Sequence, residues 1–240
     1  MPMVRNLGWI AVGGLSIGVA CLSLAWTIGG DGVYGLVGRG FAFDRSCAGD
    51  GTKADSNATE RRWTWDGGDT IDIAVPATVH FRGGDGDEVI ARGPSEILAH
   101  IEVGGGRITL NCHGTRLRKV DITLPGRAFR HIGLSGSGNV IMENVNQPDL
   151  NLRISGSGNL QAQGASDRVS VKISGSGRAR LAELAMKEFT VNVSGSGNVE
   201  AAPKDVADIK VSGSGNVRLF SHPAQLRSHI AGSGRITQQD

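Results

Sequence analysis

The sequence predicts an all-β fold, a single-stranded parallel β-helix or β-solenoid, on three observations. The tetrapeptide Ser-Gly-Ser-Gly begins at Ser135, Ser155, Ser174, Ser194 and Ser212, and Ala-Gly-Ser-Gly follows at Ala231. The spacings are 20, 19, 20, 18 and 19 residues, a period that belongs to stacked repeats. Apolar residues alternate with polar ones before each tetrapeptide, as in Ile132/Leu134, Leu152/Ile154, Val171/Ile173, Val191/Val193 and Ile209/Val211. Alternation with period two places one face of a strand in a core. The third observation is glycine, 37 of 240 residues against only 7 prolines, which suits regular turns and excludes a collagen or Pro/Gly low-complexity chain.

The chain opens on a membrane signal. Leu7 to Ile28 carries no charged side chain, and Arg5 and Asp31 flank it. That run meets the roughly 20 residues needed to cross a bilayer, with Arg5 held on the cytoplasmic side. A cleaved signal peptide competes, because Ser23-Leu24-Ala25 has small-x-small form. Lipidation at Cys21 is a weaker third reading. Each sends the body across the membrane, to the cell envelope as an anchored protein or into the medium after cleavage. Residues 1–30 are therefore read as anchor or signal peptide, 31–68 as a Gly-rich polar tether leading into the body, and 69–240 as the solenoid. In an oxidising compartment Cys47 and Cys112 are candidates for a disulfide, with two buried free thiols as the alternative.

Between Asp69 and Arg130 the pattern is β-like but less regular: Ile71, Ile73 and Val75 alternate, as do Val120, Ile122 and Leu124. Gly83-Gly84-Asp85-Gly86, Gly104-Gly105-Gly106 and Pro125-Gly126 separate the runs. These residues are expected to form atypical first coils that cap the solenoid.

From Ile132 onward each repeat is one coil, stacked on its neighbour about 4.8 Å away. Gly136, Gly138, Gly156, Gly158, Gly175, Gly177, Gly195, Gly197, Gly213 and Gly215 are expected to turn the same corner in every coil, because glycine tolerates positive φ and close backbone approach. After the corner come Asn139, Asn159, Arg178, Asn198, Asn216 and Arg235. This column, beside two of serine, is the candidate ligand-facing surface. Helical spacing is absent except for a single turn expected in Leu181–Phe189.

The block Val120-Asp121-Ile122-Thr123-Leu124-Pro125, with Ile132 to Val140 and its recurrences, resembles a bacterial domain of unknown function, the putative auto-transporter adhesin head GIN domain. The resemblance implies a right-handed β-helix exported to the envelope, and it brings no catalytic residues.

Chemistry beyond this is sparse. A net charge of +2 offers no basic stripe for nucleic acid, and no Cys-x-x-Cys spacing offers a zinc site. β-Helix enzymes that act on polysaccharides need clustered carboxylates. Here Asp149 and Glu188 share a column, but Arg168 lies between them, which reads as an ion-paired row. The six histidines share no repeat column, and no cofactor or metal is expected. Trp63 and Trp65 are candidates for sugar contact or for packing on the first coil. The reading is a non-catalytic envelope module, structural or adhesive, whose repetitive Ser/Asn/Arg face meets a glycan or a protein. An enzyme acting on polysaccharide is the alternative.

Overall fold

The computed structural model describes residues 59–83, 86–112 and 120–239. Among these no helix is long and apolar enough to cross a membrane. The expected anchor or signal, most of the tether and Cys47 lie outside them. The described chain is a β-solenoid of about five turns.

In chain order the irregular part contains β1 (Glu60–Thr64), β2 (Thr70–Ala74), β3 (Thr78–Arg82), β4 (Glu88–Arg92), the single-turn helix α1 (Ser95–Leu98), β5 (Ile101–Gly104), β6 (Arg107–Leu110) and β7 (Asp121–Thr123). The regular part contains β8 (His131–Gly136), β9 (Asn139–Gly156), β10 (Asn159–Gly175), β11 (Arg178–Gly195) and β12 (Asn198–Gly213). It ends with β13 (Asn216–Leu219), β14 (Gln225–Gly232) and β15 (Arg235–Gln238). Strands β9 to β12 are each a whole coil, bent but unbroken, and each pairs in parallel with the next.

Burial along β11 shows how one strand makes a closed coil. Ala179 and Leu181 point inward, then Leu184 and Met186, then Phe189, Val191 and Val193, all at most 4% exposed. Two successive outward residues, Ala182-Glu183 and again Lys187-Glu188, interrupt the alternation. Each such pair is a corner, and Ser194-Gly195-Ser196 is the third, so the coil has three faces. This corrects the helical turn expected in Leu181–Phe189. An i, i+3 apolar spacing arises wherever a strand turns a corner between two inward residues, here Leu181/Leu184 and Met186/Phe189. Unequal repeat lengths are absorbed at these corners. The register shifts fall between Gln161 and Gly164 and between Leu181 and Glu188, while the first and third faces stay in step.

The upstream region caps the solenoid, but not as successive coils. β2 stacks beyond β8, and β3 beyond β9, both in parallel. The chain then runs outward rather than onward. β7 adds to β3, β4 pairs antiparallel with β7, and β1 antiparallel with β4. β6 adds to β2 and β5 pairs antiparallel with β6 before the chain returns to β8. Antiparallel strands leave this end without the parallel edge on which another coil could grow. Trp65 closes the end of the core, 4% exposed and edge-on to Phe129 at 5.5 Å.

The Ser-Gly-Ser-Gly corner sets the register. The first glycine of each tetrapeptide has positive φ, +115° at Gly195, and stacks on its counterpart one coil back. A Cβ on Gly195 would stand 2.6 Å from the Gly175 carbonyl oxygen. The second glycine lacks room rather than a special φ: a Cβ on Gly197 would stand 2.7 Å from Cγ2 of Ile173. The amide of Ser196 donates to Gly175 O at 2.9 Å and that of Asn198 to Gly177 O at 3.0 Å, and the same two bonds recur at every rung from Ser157 to Ser214.

Gly195→Val should therefore cost about 3 kcal/mol or more, combining an unfavourable φ with backbone overlap. Ser196→Ala, exposed and keeping its main-chain donor, should stay within about 0.5 kcal/mol. Urea melts of the two variants read this directly, and equal losses would contradict the corner.

Candidate functional site

The first face follows the glycine corner, and the candidate column lies on it. Asn139, Asn159, Arg178, Asn198, Asn216 and Arg235 are in direct register across β9, β10, β11, β12, β13 and β15. All point outward. Asn159 Nδ2 donates to Asn139 Oδ1 at 2.9 Å, and Asn216 Nδ2 to Asn198 Oδ1 at 3.2 Å. The arginines sit where this amide ladder is interrupted.

A second outward column runs beside it: Ile141, Gln161, Arg180, Glu200, Arg218 and Thr237. Arg218 meets Glu200 at 3.5 Å. Arg178, Arg180 and Arg235 have no carboxylate within ion-pair distance among the described residues. Between the columns Arg178, Asn198, Glu200, Asn216, Arg218 and Arg235 line a shallow groove of about 430 Å³.

The third face carries a column that the sequence reading missed: Arg153, Lys172, Asn192, Lys210 and His229. Its signal was present, since each residue stands two places before its tetrapeptide. Like charges on adjacent rungs repel, so Arg153 over Lys172 is a cost that an anionic ligand would relieve. Gly133 occupies the same column at the capped end, and the gap beside it is a groove lined by Asp72, His131, Arg153 and Lys172.

Carboxylates are drawn into ion pairs. Arg168 Nε lies 2.7 Å from Asp149 Oδ1 and Lys187 Nζ 2.8 Å from Asp167 Oδ1. Hydrogen bonding from Lys187, and then its charge, lower the Asp167 pKa, while Asp167 raises that of Lys187 for the same reasons. Arg168 separates Asp149 from Glu188 in register. The inward polar residue Gln147 is also satisfied, donating to Phe129 O at 2.8 Å and Asp149 O at 2.9 Å. Among the described residues no three His, Cys, Asp or Glu side chains stand close enough to hold a metal ion. Cys112 is disulfide-bonded, and Cys47, its expected partner, lies outside the described residues. Of the tryptophans, Trp65 is buried, whereas Trp63 is half-buried beneath the Arg61 guanidinium, 4.9 Å from its ring centre.

Stacked coils closed by glycine corners, with chemistry arranged in ladders along flat faces, define a repeat β-solenoid module. The chain belongs to the family described as "Putative auto-transporter adhesin, head GIN domain", whose model matches residues 69–223. Its fold is similar to that of a "putative adhesin" from Bacteroides fragilis NCTC 9343, at 19% identity and a TM-score of 0.56, covering 75% of this chain and 96% of that one. It is also similar to a "Putative lipid binding protein" from Parabacteroides distasonis ATCC 8503, at 18% identity and a TM-score of 0.50, covering 77% and 98%. At these identities the likeness is one of fold. No curated protein matches the chain.

The Asp167–Lys187 pair has a definite pH signature. A carboxyl with a depressed folded pKa stabilises the fold above its unfolded value of about 4 and loses that contribution as pH falls through the folded pKa. The melting temperature of the wild type should exceed that of Lys187→Met slightly at neutral pH. The gap should close as the pH is taken below the carboxylate range. A gap that widens in acid would contradict the pair.

Proposed function

We propose that this protein is a non-catalytic module of the cell envelope, adhesive or structural, that engages a repetitive anionic glycan along its first face. Residues 1–30 act as anchor or signal, 31–68 as tether and entry segment, the last part of which supplies β1 and Trp65 to the cap, and 69–240 as the body outside the cytoplasmic membrane, wound right-handed as the family implies. The observation that carries the reading is the Asn139-to-Arg235 column in register over six rungs. Rungs of a parallel sheet repeat at about 4.8 Å, so a polymer with regularly spaced hydroxyls and carboxylates meets the same donors many times, and weak contacts sum as avidity. Arg178, Arg180 and Arg235, without a carboxylate in ion-pair reach among the described residues, supply the charge. Family membership and the fold of a "putative adhesin" support a binding role. The enzyme alternative has no comparable support, because Asp149 is ion-paired to Arg168, which stands between it and Glu188.

Binding of the full chain to a panel of acidic and neutral envelope glycans tests the reading. Acidic glycans should be retained, and retention should weaken with salt. Arg178→Gln combined with Arg235→Gln should reduce binding at least about tenfold, about 1.4 kcal/mol, without moving the melting temperature. Asn159, Asn198 and Asn216 changed together to Ser should weaken binding as well. If that triple variant binds normally and only melts earlier, the amide column is structural and the reading fails.

Export has its own test: protease added to spheroplasts should digest the body while cytoplasmic markers survive. Protection of the body would overturn it.

A further inference from the structure

The two ends of the solenoid differ. The end near β1 finishes in the antiparallel strands β1 and β5, whose outer edges are unpaired among the described residues, but Trp65 covers its core. At the other end β14 pairs only with β12, and β15 only with β13, so one edge of each final strand is unpaired among the described residues. The inward columns run out into solvent there. Leu226 follows Ala207, and Ile230 follows Val211, in register. Ala207 and Val211 are 0% exposed, whereas Leu226 is 39% exposed and Ile230 40%. With Phe220 at 42%, these are the large exposed hydrophobics of the described residues, and all three belong to the last coil. Single exposed apolar side chains are ordinary, but Leu226 and Ile230 side by side on the open edge of β14, with Phe220 just after β13 in the same coil, mark an interaction surface.

Charge decides what fits. From Ile209 to Gln239 the sequence has no aspartate or glutamate but has Lys210, Arg218, Arg227 and Arg235, with His222 and His229 besides. Of the four lysine and arginine side chains, Arg218 alone has a carboxylate within ion-pair distance among the described residues. A second copy docking end to end would bring this basic rim against itself. We propose that the C-terminal coil takes an extended, acidic strand from a partner protein, added edge-on along β14. Alternate residues of that strand would be apolar, to cover Leu226 and Ile230. The residues between would be acidic, to meet Arg227 and its basic neighbours. This is strand addition in which main-chain bonds give affinity and alternate side chains give selectivity. Its contact residues Leu226, Arg227 and Ile230 lie on β14, outside the first-face columns, although Arg218 and Arg235 of the basic rim belong to those columns.

The test uses the full chain and capped peptides of about eight residues, the length of β14, alternating valine with glutamate or valine with lysine. Fluorescence anisotropy should show saturable binding of the Val/Glu peptide and binding at least tenfold weaker for Val/Lys. Leu226→Lys with Ile230→Lys should abolish binding with an unchanged melting temperature, since both side chains are already exposed. Arg227→Glu should weaken the Val/Glu peptide and strengthen Val/Lys. Equal binding of the two peptides, or binding indifferent to the Leu226/Ile230 variant, would overturn the proposal. So would sedimentation showing self-association that the same variant abolishes, because the occupant would then be a second copy.

Discussion

The structure depends on how closely two backbones can approach at one corner. Strands in a sheet lie about 4.8 Å apart, and at the tetrapeptide the chain must turn while keeping that distance. Gly195 rests on Gly175, and Gly175 on Gly156, with the carbonyl oxygen of the lower coil occupying the space a Cβ would need. The main-chain bonds from Ser196 and Asn198 then fix the upper coil in both height and rotation. Everything downstream inherits that registration. The core forms because Ile154, Ile173, Val193 and Val211 fall in one inward column, and the surface ladders form because the residues after the corner fall in one outward column.

What the sequence disclosed and what it hid follow from the same geometry. A repeat with strict spacing on both sides of the glycines told which residues stack, because parallel in-register pairing puts like positions together. The Asn139-to-Arg235 ladder could be written down from the chain for that reason. Where the coil bends, two outward residues come together and the local apolar spacing becomes three, which in Leu181–Phe189 imitated a helical turn. The path of the cap was hidden for another reason. β4, β5 and β7 pair with segments whose sequences they do not resemble, so no periodicity links them, and the outward excursion before β8 leaves no mark beyond irregularity. The Arg153-to-His229 column was equally legible as the asparagine one. It was missed because its residue types vary while its position does not.

The surface divides its polar groups between stability and recognition. The asparagines bond to each other in pairs, Asp149 and Asp167 are held by Arg168 and Lys187, and such exposed contacts contribute little individually. The cations left over on the first face, on the third face and on the final coil are the groups on which the proposed binding rests, because no carboxylate among the described residues lies within ion-pair distance of them. One end is closed and the other open, so the module has a direction: closed towards the chain segment that leads in from residue 59, open at β14 and β15.

The central claim is that the coil closed by its glycine corner is the interchangeable unit of the fold. Excision of Arg178–Gly197 joins Gly177 to Asn198 and removes one whole repeat, leaving Gly175 beneath Gly213 and every remaining column in register. Excision of Arg178–Lys187 removes half a coil and leaves only Glu188 to Val193 between two glycine corners, too short a strand to close a three-faced coil. Thermal melts followed by circular dichroism should show a cooperative transition and a β-rich spectrum for the whole-repeat deletion, and neither for the half-repeat deletion. If the two deletions unfold alike, or if the half-repeat deletion is the more stable, the corner does not set the register and the account is wrong.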